Sequence, residues 1–346
     1  MRVLITGGAG LVGAPISRRF VQLGWDVRII GIDPDCDLPG VRYAQCDIRD
    51  FDSLKAHVAG CDAIAHLAAI PSTRTHSNAE LFDINVAGTF NVFEAAEAAG
   101  VKRIVQASSI NAIGGYWGCD PRRYDYFPLD EAHRLHTTDA YSYSKQTVEE
   151  IAAYFYRRAG ISSVSFRLPA VWNDQRSDIP AREARAARLR QHLNDFAQLP
   201  ESQQQRLLAE ARARADALRA RKPMELAGLQ AGIFAREAPQ DDWLFDAMFY
   251  GRFNFWTFIH TADSTAAFEL ALTSEFEGAR PLFANSDRNW SGLPTEDLLR
   301  LFFPEVPRRI RKIVGAESPV SIKRARDLLG FSPQVRELSD IGFARV

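Results

Sequence analysis

Of the nine tyrosines in this 346-residue chain, only Tyr141 has a lysine four residues further on, in the run Tyr141-Ser142-Tyr143-Ser144-Lys145. On a helix that spacing puts both side chains on one face, about 5–6 Å apart at Cβ. An ammonium beside a phenol favours the phenolate and lowers its pKa. Tyr141 is therefore a candidate general acid/base near neutral pH. Tyr-x-x-x-Lys alone is a common accident. It gains meaning from Ser108-Ser109, which closes an apolar strand-like run, and from a glycine cluster at the start of the chain.

That cluster is Thr6-Gly7-Gly8-Ala9-Gly10-Leu11-Val12-Gly13, directly after an apolar run and directly before a helical pattern. Gly8 and Gly10 permit a tight turn and let backbone N–H groups approach a pyrophosphate. Gly13 permits close packing of helix on sheet, and the helix N-terminus adds partial positive charge. The motif makes Gly7, Gly10, Leu11, Val12 and Gly13 candidate dinucleotide-binding residues. An acid at the tip of the second strand would bind the ribose hydroxyls, and Asp33 stands near that place. No arginine stands at the tip to receive a 2′-phosphate, because Arg28 lies inside the strand. NAD is expected over NADP, which stays open.

The elements that must position these groups alternate. Short runs apolar on both faces predict buried parallel strands over 3–6, 27–32, 63–67, 104–108 and 164–171. Amphipathic stretches predict helices over 14–23, 51–58 and 79–99, with Gly24 and Gly100 as left-handed caps. Alternation at this spacing gives an α/β, Rossmann-like doubly wound parallel sheet. Further on, strands are expected over 253–259 and 280–285, and helices over 263–274, 295–303 and 322–329.

Residues 181–222 depart from this rhythm, being rich in Ala, Arg, Gln and Leu. Leu189, Leu193, Phe196 and Leu199 recur at helical spacing, Pro200 breaks the run, and 203–221 forms a second helix. The reading is a helical hairpin inserted into a smaller, partly helical substrate-binding cap. Its arginines are interleaved with acids and carry no aromatic ladder, so they read as a solvated face.

Composition bounds the rest. Lys plus Arg number 42 against 43 Asp plus Glu, a formal charge of −1, which lacks the basic excess of a nucleic-acid binder. Cys36, Cys46, Cys61 and Cys119 have no CxxC or zinc-type spacing and read as reduced thiols. The first apolar run is too short for a membrane anchor or signal peptide, so a cytoplasmic location is expected. His66 and His260 lack any HExxH or Cys/His partner spacing and read as core histidines, leaving no metal site.

With these residues in view, the sequence resembles the extended short-chain dehydrogenase/reductase family, in its epimerase/dehydratase branch. The matching motifs are TGGAGLVG (6–13), CDIRD (46–50), HLAA (66–69), FDINVAGTFNVFEAA (82–96), QASS (106–109), YSYSK (141–145), RLPAVW (167–172), FIHTAD (258–263) and LLGFSP (328–333). The resemblance implies that Ser109 hydrogen-bonds the reacting oxygen and Tyr141 moves the proton. Lys145 would hold the nicotinamide ribose. It also implies that Asp47 and Ile48 flank the adenine, that Leu67, Ala68, Ala69, Asn85 and Ser108 border the cofactor cleft, and that Pro169 lies against the nicotinamide. It divides the chain into a cofactor-binding part, 1–172 with 256–285 returning to it, and a cap of 173–255 and 286–346.

Departures from the family pattern bear on substrate. Sugar dehydratases of the family carry an Asp-Glu pair where this chain has Ile110 and Asn111, which disfavours elimination of water. Nucleotide-sugar epimerases carry an asparagine where Ala170 stands and a diphosphate-clamping arginine where Trp256 stands, with Arg252 and the insert arginines as possible substitutes. The stretch 107–114 resembles the active-site strand of uronate dehydrogenases. The aromatics Tyr116, Trp117, Tyr124, Tyr126 and Phe127 either stack on a sugar or pack their loop. The expectation is an NAD(P)-dependent dehydrogenase acting at a hydroxyl-bearing carbon of a sugar-type substrate. The alternatives are an epimerase that retains NAD and a non-catalytic dinucleotide sensor. No nucleic acid or membrane partner is expected. A homodimer is, through the helices carrying Asn85 and Tyr141, with Ala87, Phe90, Phe93, Ala152 and Tyr156 on their apolar faces.

Overall fold

Val3, Leu4 and Ile5 are fully buried, and this apolar run forms the central strand β1 (Arg2–Thr6). Successive side chains point to opposite faces of the sheet. Val3 and Ile5 accordingly pack with Phe20 and Phe268, while Leu4 packs with Val92, Phe93 and Phe155. A computed structural model describes residues 1–71, 76–115, 124–173, 179–221 and 242–336.

Around β1 stand β2 (Asp26–Gly31), β3 (Arg42–Gln45), β4 (Ala63–His66), β5 (Arg103–Ser109), β6 (Ser162–Leu168) and β9 (Ala279–Phe283). They form one parallel sheet in the order β3-β2-β1-β4-β5-β6-β9. The order reverses between β1 and β4, and a crevice opens at the carboxyl ends of the strands there. The helices flanking the sheet are α1 (Gly13–Gln22), α2 (Phe51–Val58), α3 (Asn78–Phe82), α4 (Gly88–Ala98) and α5 (Ala140–Ala159). α3 and α4 are one helix joined by a π-helical turn, Asp83–Ala87, which turns Asn85 inward. Gly24 and Gly100 follow their helices with φ of 74° and 75°, the left-handed ends that glycine permits.

The sheet differs from the sequence expectation in three places. β3 was not foreseen, because its half-buried Arg-Tyr-Ala-Gln run is an edge strand with a mixed pattern. The expected strand over 164–171 stops at Leu168, since Pro169 cannot donate to a ladder. The chain resumes as β7 (Ala170–Trp172), which pairs with β8 (Phe258–His260) in a separate two-stranded sheet. The expected strand over 253–259 is helical over Arg252–Asn254. Phe255 and Trp256 then take φ of 54° and 50°. Such backbone is disfavoured for bulky residues; here both rings are buried, Trp256 against Phe302 at 5.4 Å.

The inserted hairpin is present as α6 (Ile179–Ala197) and α7 (Glu201–Ala220). Leu189, Leu193, Phe196, Ala211, Ala215 and Leu218 pack against Leu298, Leu299 and Phe302 of the helix Thr295–Phe302. Four of its arginines are ion-paired: Arg185 with Asp246, Arg206 with Glu210, Arg212 with Glu305 and Arg214 with Asp242. Tyr124 and Phe127 are buried in this same cluster, edge-on to Phe255 and Phe303, which favours the packing role for that loop. Tyr116, Trp117 and Cys119 lie outside the described residues. Among the described residues no helix is long and apolar enough to cross a membrane.

Candidate active site

The glycine turn is shaped by what surrounds it. Gly7 has φ of 68°, and a Cβ there would stand 2.8 Å from the Ala68 nitrogen. A Cβ on Gly13 would stand 2.3 Å from the Gly7 carbonyl oxygen, whereas one on Gly10 would meet nothing nearer than 3.4 Å. The turn is closed toward the sheet and open toward the crevice. α1 starts with neither a side-chain cap nor an acid in its first turn. In that first turn the Ala14 N–H is held by the Gly10 carbonyl and Pro15 has none, so it is the helix dipole and the open side of the turn that suit a phosphate, and on that count the cradle fits a dinucleotide.

A buried relay fixes this turn to the next strand. Thr89 Oγ1 donates to the Asn85 carbonyl at 2.5 Å, so it accepts from His66 Nε2, 2.9 Å away. His66 Nδ1 is then left to accept from Thr6 Oγ1 at 2.7 Å, and that oxygen accepts from the Leu67 and Ala68 nitrogens at 3.2 and 3.1 Å. This assignment of the ring proton follows from donor and acceptor accounting. Burial, with the charge of Lys145 adding to it, pushes His66 down to about 3, so the ring is neutral. His260 caps the following helix, accepting from the Ala262 nitrogen at 3.2 Å. Both histidines are satisfied within the core.

α5 carries the Tyr/Lys pair. Asp139 caps it by accepting from the Ser142 nitrogen at 2.8 Å, and Gly160 ends it with φ of 67°. Tyr141 and Lys145 are both buried. Lys145 Nζ donates to the Ala107 carbonyl at 2.9 Å and lies 5.9 Å from the centre of the Tyr141 ring. Burial pushes the Tyr141 phenol up to about 12, opposed by a hydrogen bond from Ser109. Burial also brings Lys145 down to about 8, opposed by the carboxylate of Glu149. The expected lowering of the phenol by its lysine is not seen: loss of water raises the phenol, Asp139 adds to the rise, and the group that opposes it is Ser109.

A cavity of about 600 Å³ joins these parts. The expected residues Gly7, Gly10, Leu11, Val12, Gly13, Leu67 and Ala69 line it, with Ser108, Ser109, Tyr141, Lys145 and Pro169. Five expected residues do not. Asp33 lies exposed beyond β2, where its carbonyl accepts from Tyr43 Oη at 2.5 Å. Asp47 is ion-paired with Arg49 at 2.6 Å. Ile48 is buried beneath Gly88, and Ala68 donates its N–H to Thr6. Asn85 pins the chain after β4, accepting from the Ile70 nitrogen at 2.7 Å and donating to the Ile70 carbonyl and Ser144 Oγ. The lining adds residues that spacing did not single out, notably Trp172, Arg182 and Asn254. Arg182 stacks over Trp172 at 4.1 Å. Its only sequence signal was a place in an arginine-rich insert.

Residues 3–195, more than half of the chain, match the profile of the NAD dependent epimerase/dehydratase family. The chain belongs to that family. It is 34% identical over 170 residues to a uronate dehydrogenase of Pseudomonas putida, covering 48% of this chain and 60% of that one. It is 30% identical over 181 residues to a putative UDP-glucose 4-epimerase of Methanocaldococcus jannaschii, covering 50% and 57%. The matched region thus spans less than two thirds of these relatives. Among solved structures, a short-chain dehydrogenase/reductase superfamily protein from Agrobacterium tumefaciens with bound NAD superposes with a TM-score of 0.62 at 20% identity, over 97% of this chain and 93% of that one. Uronate dehydrogenase from the same organism gives 0.57 at 17%, over 100% and 90%. At these identities the likeness is one of fold.

Within this epimerase/dehydratase family, the chain's departures have structural outcomes. Ile110 and Asn111 line the cavity beside Ser109, and the charged side chains in the described lining are Lys145 and Arg182. No carboxylate there can serve an elimination. Trp256 is fully buried, its ring against Phe302, and Arg252 is buried against Glu305 and over the Phe303 ring at 4.9 Å. Arg252 is outside the cavity lining and does not replace the missing arginine clamp.

Proposed function

We propose that the protein is an NAD-dependent dehydrogenase that oxidises a hydroxyl-bearing carbon of a sugar-derived substrate. The observation that carries the reading is the meeting of Ser109, Tyr141 and Lys145 with the glycine turn in one cavity. Residues 1–172 and 256–285 would form the cofactor-binding part, and the remainder the cap. Gly7, Gly10, Leu11, Val12 and Gly13 would hold the pyrophosphate, Asp33 the adenosine ribose, and Lys145 the nicotinamide ribose. Arg28 supports NAD over NADP, because its guanidinium turns back to the Ala59 carbonyl at 2.9 Å. When bound, the dinucleotide supplies the hydride acceptor. Ser109 orients the substrate hydroxyl, and Tyr141, as the phenolate that Lys145 stabilises, takes its proton and becomes the phenol as hydride leaves the carbon.

Two cations and no acid in the described lining favour an anionic sugar, with Arg182 at the cap end as the group that would meet its carboxylate. Trp256, buried in the core, and Ala170, whose methyl in the cavity lining has no amide to offer, argue against a nucleotide diphosphate and so against an epimerase of nucleotide sugars. The free thiols of Cys36, Cys46 and Cys61 favour a reducing compartment, in keeping with a cytoplasmic enzyme. A second copy of the chain would cover the exposed rings of Phe82, Phe90, Tyr143 and Tyr154 on α3, α4 and α5. Of the apolar residues first expected at such an interface, Phe93 and Ala152 are spent inside the protomer.

The test is a screen of sugar acids and free aldoses with NAD, read at the NADH absorbance band. A lasting rise that a Tyr141→Phe chain loses, while still binding NAD, supports the reading. Stereoisomer conversion without net NADH moves the assignment to epimerase.

A further inference from the structure

Behind Ser108 and Lys145 lies a buried ion pair that the proposed proton transfer leaves unused. Glu149 stands one helical turn beyond Lys145 on α5, and Arg167 faces it from β6. Arg167 Nε donates to Glu149 Oε1 at 3.0 Å and Nη2 donates to Oε2 at 2.8 Å. Ser108 Oγ donates to Oε1 at 2.7 Å. The two side chains are only 3% and 6% exposed.

We infer that Glu149, held in place by Arg167 and Ser108, is a positioning residue that keeps Lys145 in its ammonium form within the water-poor cavity. Among the described residues Lys145 has a single hydrogen-bond acceptor, the Ala107 carbonyl, for its three donors. Among the described residues, the groups around it other than Glu149 bring it no negative charge. Tyr141 on the same helix is an un-ionised phenol, His66 on β4 is neutral, and Ser109 on β5 is a hydroxyl. Arg167 on β6 and Arg182 on α6 are cations. Asp139, at the start of α5, acts on Tyr141 and is engaged by the Ser142 nitrogen. Glu149 is the carboxylate whose field reaches Lys145, where it opposes the effect of burial.

The arrangement makes a prediction of sign. Neutralising Glu149 removes the carboxylate that acts on Lys145 and leaves the Arg167 cation that faced it uncompensated, which disfavours the ammonium. Neutralising Arg167 leaves the carboxylate facing Lys145 alone, which favours it. A pair that served packing alone would weaken the fold in both cases and impose no such opposition.

The inference rests on the dehydrogenase reading only for its consequence in catalysis, so its test is a titration without turnover. The chain has six lysines, few enough to resolve with ¹³Cε-lysine labelling and NMR on the full-length protein, Lys145 being assigned with a Lys145→Met chain. Glu149→Gln is expected to lower the Lys145 midpoint by about 1 in pH or more, and Arg167→Met to raise it. An unchanged midpoint in Glu149→Gln, or movement of both variants in one direction, overturns the proposal. If Glu149→Gln fails to fold because it strands Arg167, the double variant Glu149→Gln/Arg167→Met carries the test. Its midpoint should lie below that of the unaltered protein, and equality overturns the proposal. A sugar screen without turnover would sink the dehydrogenase reading and leave this titration intact.

Discussion

Lys145 Nζ lies 5.9 Å from the centre of the Tyr141 ring, and the two groups stand in inverted order of acidity. The ammonium gives up its proton at about 8, while burial holds the phenol protonated up to about 12. On these values phenolate and ammonium share no pH window. A working site has to reverse that order through groups that favour phenolate, of which the Ser109 hydroxyl is already in contact. The expected outcome is that Tyr141 in the ligand-free protein stays un-ionised beyond about pH 10, the ordinary tyrosine range. Difference absorbance titration of the protein against a Tyr141→Phe chain reads this directly. A Tyr141 midpoint below the ordinary range would show that the lysine, and not burial, governs the phenol.

Gly13→Ala should abolish dinucleotide binding at concentrations where the unaltered chain saturates. The added methyl would sit 2.3 Å from the Gly7 oxygen and 2.7 Å from the Gly8 Cα, both backbone atoms that cannot swing aside. The turn must move for the helix to start there. Overpacking of this kind costs about 1–3 kcal/mol, so the variant should fold with a lowered midpoint in denaturant. Gly10→Ala, whose nearest neighbour is 3.4 Å away, should be far milder. Equal NAD affinity of the two variants in a calorimetric titration would refute this account of the turn.

Much of this was legible before any coordinates, and the reason is physical. β1, β4 and β5 are apolar on both faces because helices cover both, so their composition alone marks them. The glycine turn and the Tyr141/Lys145 spacing are local in sequence and survive as motifs. What escaped were features set by distant partners. β3 is an edge strand whose polar residues satisfy no period. Phe255 and Trp256 adopt left-handed backbone because burial of their rings against Phe302 and Phe303 outweighs local preference. Asn85 looked like a cofactor ligand by motif, yet its amide is spent on Ile70 and Ser144, contacts no spacing rule could announce. Arg182 and Trp172 come from different elements and become neighbours only when α6 docks.

The exposed rings on α3, α4 and α5 give a prediction about assembly. Phe90 is 39% exposed with its ring 6.2 Å from that of Tyr154, and Phe82 lies 5.8 Å from Tyr143. In a two-fold dimer Phe90 would meet its own neighbourhood on the second copy, so one substitution acts twice. Removing a buried phenylalanine costs about 1.5–3 kcal/mol. Phe90→Glu should accordingly weaken dimerisation at least about tenfold, leaving NAD affinity unchanged. Light scattering coupled to size exclusion is the measurement. A monomer in the unaltered protein, or a variant as dimeric as the parent, removes this surface from consideration.

His66 links the turn's architecture to acid stability. Its ring accepts from Thr6 and donates to Thr89, and burial holds it down to about 3 from an ordinary value near 6.5. The folded protein therefore resists protonating a ring that the unfolded chain protonates freely. Between those two values the unfolded state binds more protons, so stability falls as pH drops through the window and is fully present above it. For this one group the loss between about pH 7 and pH 5 comes to about 2 kcal/mol. In urea unfolding, a His66→Gln chain should start less stable, because the amide cannot span Thr6 and Thr89 as the ring does, yet lose about 2 kcal/mol less than the parent over that pH range. Parallel pH dependences for the two chains would mean that His66 takes up its proton in the folded state as readily as in the unfolded one, and the bond drawn from Thr6 to Nδ1 would have to be reversed, while the donation to Thr89 would stand.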